Sequence, residues 1–126
     1  MLHAVKEMTH TIILCDDLDL MQKFYCDLLP VEALGGSDTG VVLRIGSVQF
    51  SLRKRTRDYD GRGTRVGLPG VQLAFLVEPD EVASCYDQLV ARDVSIAEPP
   101  TDQPRGHRTV YFFDPEGNLL EVYALI

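Results

Sequence analysis

Three polar side chains of types that bind divalent metal ions lie in otherwise apolar segments of this sequence. They are His10 in "THTIILC", Gln72 in "VQLAFLV" and Glu121 in "NLLEVY". Strand alternation predicts that each shares a face with apolar neighbours. Imidazole nitrogen, amide oxygen and carboxylate oxygen suit Mn²⁺, Fe²⁺, Ni²⁺, Co²⁺ or Zn²⁺, with water completing the shell. The three residues are therefore candidate ligands of one divalent ion.

Glu121 is the most informative of the three, because an isolated carboxylate among apolar side chains is costly to bury. It needs a cation, a hydrogen-bonding partner or a bound proton. Other interpretations stay open for each residue: His10 as a hydrogen-bonded core histidine, Gln72 as an exposed strand residue, and Glu121 as the partner of Arg108 or Arg44.

The elements that carry these residues follow one plan twice. In each half a strand leads into an amphipathic helix and then a hairpin, with "VEALG" and "VSIAE" as weak second strands. The helices are "DDLDLMQKFYCDLL", capped by Asp16 or Asp17, and "PDEVASCYDQLVARD". Aligning the halves brings Met21 onto Val82 and His10 onto Gln72. The sequence therefore predicts an α+β fold of two βαβββ modules.

The length of 126 residues corresponds to one domain, with modules at about residues 8–55 and 70–126. An Arg- and Gly-rich segment, Arg53 to Arg65, joins them and carries six Lys or Arg residues. We interpret it as a mobile, solvated linker in preference to a nucleic-acid site, and a lid that meets an anionic small molecule is a third interpretation.

The net charge of −7 argues against nucleic acid as a partner, because binding phosphates requires a basic surface. No apolar run is long enough to span a membrane, and "MLHAVKEMTH" lacks the basic and apolar parts of a signal peptide. We therefore expect a cytoplasmic protein without membrane contact.

The chain resembles the vicinal oxygen chelate superfamily, which includes glyoxalase I, bleomycin-resistance proteins and extradiol dioxygenases. The resemblance rests on "THTIILCDDLDLMQKFYCDLL", "VQLAFLV" and "GHRTVYFFDPEGNLLEVY". It implies the glyoxalase/bleomycin resistance/dihydroxybiphenyl dioxygenase fold, in which paired modules form a cupped mixed sheet with helices outside. It also implies a homodimer and a divalent ion that chelates adjacent substrate oxygens.

The resemblance implies ligand roles for three residues: His10 matches the first-strand ligand, Gln72 stands where many members have a second histidine, and Glu121 matches the terminal carboxylate. Members with a fourth ligand draw it from the fourth strand. Phe50 or Ser51 occupies that position here, depending on how the hairpin is aligned, and neither is a good ligand. No subfamily pattern is matched in full.

The first functional hypothesis is an enzyme whose metal polarises a carbonyl or enediolate oxygen. His107 or Tyr111 would move a proton, and Arg108 would bind a substrate carboxylate. Structural interpretations compete with these roles: His107 as an exposed residue, Tyr111 as a core aromatic, and Arg108 as the partner of Asp114 or Glu116.

The second hypothesis is metal-free binding of a small molecule, as in a drug-sequestering protein of the bleomycin-resistance type. The acidic balance and the tyrosines are compatible with this function. The substrate, the reaction type and the identity of the metal do not follow from the sequence.

Overall fold

The computed structural model describes residues 1–61 and 69–126. The chain divides into two compact units, Met1–Arg62 and Gly63–Ile126. Each unit contains a four-stranded mixed sheet and one α-helix that contacts it. The predicted α+β fold of two βαβββ modules is confirmed.

The first unit contains one helix, α1, and four strands. They are β1 (Ile12–Cys15), α1 (Leu18–Leu28), β2 (Glu32–Ser37), β3 (Gly40–Ile45) and β4 (Val48–Lys54). The strand order is β1-β4-β3-β2, with β1 parallel to β4 and the other pairs antiparallel. The parallel pair needs the helical crossover that α1 supplies.

Helix α1 begins where the sequence predicts, because the Asp17 carboxylate accepts a hydrogen bond from the Leu20 amide at 3.0 Å. Its apolar face is buried against the sheet: Met21 and Tyr25 are fully buried. The Tyr25 ring lies edge-on to Phe50 of β4, with ring centroids 5.6 Å apart. This packing turns one face of the first sheet into core.

The second unit follows the same plan. Its elements are β5 (Gln72–Leu76), a 3₁₀ turn (Pro79–Glu81), α2 (Val82–Ala91), β6 (Ile96–Gln103), β7 (His107–Phe113) and β8 (Leu119–Leu125). The strand order β5-β8-β7-β6 repeats that of the first unit. Buried Val82 and Leu89 of α2 share a core with Phe112 and Leu120 of the sheet.

Strands β1 and β6 differ from the predictions. Strand β1 begins at Ile12, so His10 precedes it, although the Thr11 carbonyl still accepts a hydrogen bond from the Ser51 amide at 3.0 Å. Strand β6 runs on to Gln103, beyond the predicted "VSIAE", whereas β4 ends at Lys54, in agreement with the predicted end of the first module near residue 55. Residues 62–65 of the predicted linker lie outside the described residues.

The described part of the linker is folded around one buried carboxylate, Asp60. Arg53 donates to both Asp60 oxygens, at 2.9 and 2.8 Å, and the Thr56 and Arg57 amides each donate to it at 2.9 Å. These hydrogen bonds, led by that from Arg53, hold the pKa of Asp60 well below its usual range. Residues 53–60 are therefore folded around Asp60, and Arg55 Nε also lies 3.4 Å from Asp16 Oδ1, outside the segment. The mobility of the segment stays a prediction.

Neither of the two α-helices in residues 1–61 and 69–126 is long and apolar enough to cross a membrane.

Candidate functional site

A cavity of about 510 Å³ opens on one face of the second sheet, within the size range of small-molecule sites. Its lining combines charged, amide and aromatic side chains: Gln72, Ala74, Arg105, His107, Tyr111, Glu121 and Tyr123. Most come from adjacent strands β5, β8 and β7, at alternate positions that share a face. The opposite face of the same strands is the helix-packed core.

Glu121 lies at the centre of this face. Its Cα partners are Ala74 on β5 and Tyr111 on β7, so the carboxylate has a neighbouring strand on each side. The residue is only 5% exposed, although it lines the cavity. A carboxylate in such a place requires donors or cations close to both of its oxygens.

Two groups provide them. Gln72 Nε2 donates to Glu121 Oε2 at 2.9 Å, and Arg105 Nη2 lies 3.6 Å from Glu121 Oε1. The predicted need for a hydrogen-bonding partner is thus met by Gln72. The alternative partners are wrong, because Arg44 pairs with Glu32 and Arg108 with Asp102.

Arg105 was not among the candidates from sequence. It lies in the turn between β6 and β7, where strand alternation gives a side chain no direction. Its Nη2 donates to the Tyr111 hydroxyl oxygen at 2.7 Å, and its Nε donates to His107 Nδ1 at 3.4 Å. The side chain is half exposed, so the guanidinium remains accessible from the cavity.

His107 and Tyr111, the predicted proton-transfer residues, both line the cavity. They sit four residues apart on β7 and therefore share the face of Glu121. The His107 ring also lies against Tyr123 of β8, with centroids 5.0 Å apart. Both are half-buried, so neither the fully exposed nor the core interpretation describes them.

Arg108 lies on the other face of β7. Its guanidinium donates to both carboxylate oxygens of Asp102, at 2.7 and 3.2 Å, and this contact lowers the pKa of Asp102. The structure therefore does not bring Arg108 to the cavity, and pairing with Asp114 or Glu116 is also wrong. Asp114 instead accepts hydrogen bonds from the Glu116 and Asn118 backbone amides of its own turn, each at 3.0 Å.

His10, the third predicted ligand, belongs to the first unit. It is exposed, which excludes the core-histidine interpretation, and its Nδ1 lies 2.6 Å from Thr9 Oγ1. Register identifies the fourth-strand position that the sequence left open: Ile12 pairs with Ser51 as Ala74 pairs with Glu121. Ser51 is thus the counterpart of Glu121 within its own module.

Gln72 and Glu121 are the candidate donors for a divalent ion in the second unit. The Gln72 amide nitrogen faces Glu121 at 2.9 Å, so the amide must turn over to present its oxygen, and amide and carboxylate oxygens are then hard donors of the kind that Mn²⁺ accepts. Among residues 1–61 and 69–126, no three His, Cys, Asp or Glu side chains cluster as metal ligands do.

Comparisons with known proteins agree with this architecture. The model of the Glyoxalase/Bleomycin resistance protein/Dioxygenase superfamily matches residues 7–122. Over 124 residues the chain is 24% identical to the metallothiol transferase FosB of Staphylococcus saprophyticus, covering 98% of this chain and 78% of that protein.

Solved structures share the fold. The fosfomycin resistance protein FosX of Listeria monocytogenes superposes with a TM-score of 0.74 at 19% identity, over 97% of this chain and 95% of that one. A glyoxalase/bleomycin resistance protein/dioxygenase from Nocardioides gives 0.76 at 23% identity, over 97% and 86%. Lactoylglutathione lyase from Agrobacterium tumefaciens gives 0.72 at 22% identity, over 95% and 94%.

Proposed function

The chain belongs to the glyoxalase/bleomycin resistance protein/dioxygenase superfamily, and we propose that it modifies a small oxygen-bearing molecule with the help of a divalent metal ion. The observation that carries this proposal is the contact between Gln72 and Glu121, 2.9 Å apart on neighbouring strands of a cavity wall. A buried carboxylate beside an amide, open to a cavity, is an arrangement suited to binding a cation. The reaction type stays unassigned.

Gln72 and Glu121 would hold the ion, and His10 is the third predicted ligand. When bound, the ion would supply Lewis acidity to a carbonyl or enediolate oxygen of the substrate. Amide oxygen is a weaker donor than imidazole for the later transition metals, so this ligand set favours Mn²⁺ or Fe²⁺ binding of modest affinity. The metal-bound state therefore depends on how much metal is supplied.

The other side chains of the cavity would handle protons and orientation. Tyr111 accepts a hydrogen bond from Arg105, so its own O–H is directed to a different acceptor, such as a substrate oxygen. His107 accepts from Arg105 at Nδ1, which puts the ring proton on Nε2 in the neutral form. That tautomer would donate a hydrogen bond from Nε2 to a substrate oxygen and so orient the group that exchanges a proton.

Arg105 takes the place proposed for Arg108 in binding an acidic group of the substrate. It lines the cavity and keeps half of its side chain exposed, whereas Arg108 is engaged with Asp102 on the opposite face. A guanidinium has five N–H donors in a planar fork that matches a carboxylate or phosphonate.

One observation favours a second candidate, the metal-free binding of a small molecule. Arg105 supplies a positive charge 3.6 Å from Glu121, so the protein already contains a counter-ion for this carboxylate. The paired rings of His107 and Tyr123 add an aromatic surface. Ligand binding that a chelator leaves unchanged would favour this function over the first.

Elemental analysis of protein purified without a metal-affinity tag tests the proposal. We expect about one equivalent of a transition metal per chain after incubation with Mn²⁺ or Fe²⁺, and its loss in Glu121→Ala. Glu98→Gln is the matched control, since Glu98 is a part-buried carboxylate of the same sheet that instead contacts Gln103. Protein that takes up none of the supplied metals would refute metal dependence.

Assembly and location remain predictions. The resemblance leads us to expect a homodimer, and the charge and apolar pattern of the sequence lead us to expect a cytoplasmic protein that contacts neither nucleic acid nor membrane. Sedimentation should give a single species of about twice the chain mass of 14.1 kDa. A monomer over a wide concentration range would contradict the expectation.

A further inference from the structure

The electrostatic neighbourhood of Glu121 is asymmetric. Its Oε2 accepts a short hydrogen bond from Gln72, but its Oε1 faces Arg105 at 3.6 Å, which is too long for a well-formed hydrogen bond. The Arg105 guanidinium is close enough to neutralise the charge of Glu121, although no hydrogen bond holds the two groups together. Glu121 thus has a hydrogen bond from the neutral Gln72 amide and a longer, weaker contact with the charged Arg105 guanidinium.

Arg105 differs in this respect from Arg53 and Arg108, although Arg55 also lies at a long distance, 3.4 Å, from Asp16. Arg53 and Arg108 each donate two hydrogen bonds to one carboxylate. Arg53 donates to Asp60 at 2.8 and 2.9 Å, and Arg108 donates to Asp102 at 2.7 and 3.2 Å. Arg105 instead makes its shortest contact with an uncharged hydroxyl, at 2.7 Å. Its contacts use Nε and Nη2, so Nη1 of this half-exposed side chain is the nitrogen that an added ligand would reach.

A guanidinium in this position opposes a cation at Glu121, because both neutralise the same carboxylate and repel each other. An anion that binds Nη1 of Arg105 would neutralise its charge and remove part of that repulsion. Two ligands of opposite charge would then bind more tightly together than apart. Linkage requires that each raise the affinity of the other by the same factor.

We propose that Arg105 is an exchangeable counter-ion of Glu121, which pairs with an oxyanion of the ligand and thereby couples anion binding to cation binding at Gln72 and Glu121. This inference rests on the proposed metal-dependent function and narrows its substrate class to molecules with a carboxylate, phosphonate or similar group. A substrate that lacks such a group would leave the positive charge of Arg105 repelling the bound cation.

Mn²⁺ affinity provides the test, because it is measured without any substrate. Free Mn²⁺ is followed by electron paramagnetic resonance during titration of the wild type, Arg105→Met and Arg108→Met, in chloride and in sulfate of equal ionic strength. Arg108→Met is the matched control: it removes the same charge three residues away, on the other face of β7.

In chloride we expect Arg105→Met to bind Mn²⁺ about fivefold more tightly than the wild type, since a competing cation of a part-exposed pair is removed. Sulfate should raise the Mn²⁺ affinity of the wild type and of Arg108→Met by about the same factor. It should leave Arg105→Met unchanged, because the anion has lost its site.

Equal Mn²⁺ affinity in the wild type and Arg105→Met would overturn the proposal that Arg105 is an exchangeable counter-ion of Glu121. It would leave the proposed metal-dependent function intact. A sulfate effect that persists in Arg105→Met would overturn the assignment of the anion to Arg105. Failure of every variant to bind Mn²⁺ would overturn the metal-dependent function and the coupling together. The two proposals therefore fail in distinguishable ways.

Discussion

The hydrogen bond from Gln72 to Glu121 predicts a measurable coupling in the metal-free protein. A hydrogen bond to a charged group contributes about 1.5–3 kcal/mol, and Gln72 is exposed enough for water to replace part of it, which favours the lower limit. We therefore expect a coupling free energy of about 1.5 kcal/mol between Gln72→Leu and Glu121→Leu. Urea unfolding of the two single variants and the double variant, with a chelator present, measures it.

The control is Gln88→Leu, which removes an amide of the same type from an exposed site on α2. Gln88 Nε2 donates to the uncharged Ser84 hydroxyl, at 3.2 Å, so its replacement should change the free energy of unfolding by less than about 0.5 kcal/mol. A coupling near zero between Gln72 and Glu121, with Gln72→Leu as harmless as the control, would refute the view that the amide stabilises a buried charge. All variants are compared at one protein concentration, because dimerisation would make the apparent stability concentration-dependent.

Three further predictions concern the framework of the site. Because the pKa of Asp60 is lowered, its charge stabilises the fold above the ordinary pKa of 3.8, and this stabilisation is lost as the pH falls below that value. Asp60→Asn should therefore be less stable than the wild type at pH 7 and should lose less stability on acidification. Equal pH dependence of the free energy of unfolding in the two proteins would contradict this. Phe112→Ala should cost about 3–5 kcal/mol in urea unfolding, because Phe112 is fully buried beneath the cavity strands; a cost below about 1 kcal/mol would contradict the packing. Asp17→Ala should cost about 1 kcal/mol by loss of the α1 cap, and an unchanged unfolding midpoint would exclude that role.

The fold was largely predictable because its signals are local and repeated. Helix spacing, the Asp17 cap and the Gly46 turn each act over a few residues, and the second half repeats the pattern of the first. The common face of Gln72 and Glu121 was also predictable, since alternation fixes the direction of a strand side chain once the register is known.

The sequence analysis did not foresee the positions of the Arg105 and Arg108 side chains, which depend on a turn and on which carboxylate each arginine pairs with. Arg105 leaves the chain in a turn beside Gly106, whose φ is +84°, so no periodic rule gives its direction. Arg108 satisfies the strand rule, but it lies on the face opposite Glu121 and pairs with Asp102 of β6. Alternation along β7 alone separates Arg108 from His107 and Tyr111, so grouping the three was an avoidable error, whereas the Asp102 partner required the register of β6 and β7.

A second cavity provides a rival location for a cation. It has a volume of about 560 Å³, lies in the first unit beside the start of α1, and has four aspartates in its lining: Asp16, Asp17, Asp19 and Asp38. Lys54 also lines it and offsets part of this charge. A titration that reports every residue at once separates this acidic cavity from the one around Glu121.

The most direct test of the proposed metal site is therefore a titration of ¹⁵N-labelled protein with substoichiometric Mn²⁺, followed by nuclear magnetic resonance. Paramagnetic broadening should appear first at the side-chain amide of Gln72 and at the backbone amides of Ala74 and Glu121. The Gln88 side-chain amide on α2 should stay sharp at the same metal concentration. Broadening that begins in the acidic cavity, with the Gln72 amide unaffected, would contradict a metal site at Gln72 and Glu121.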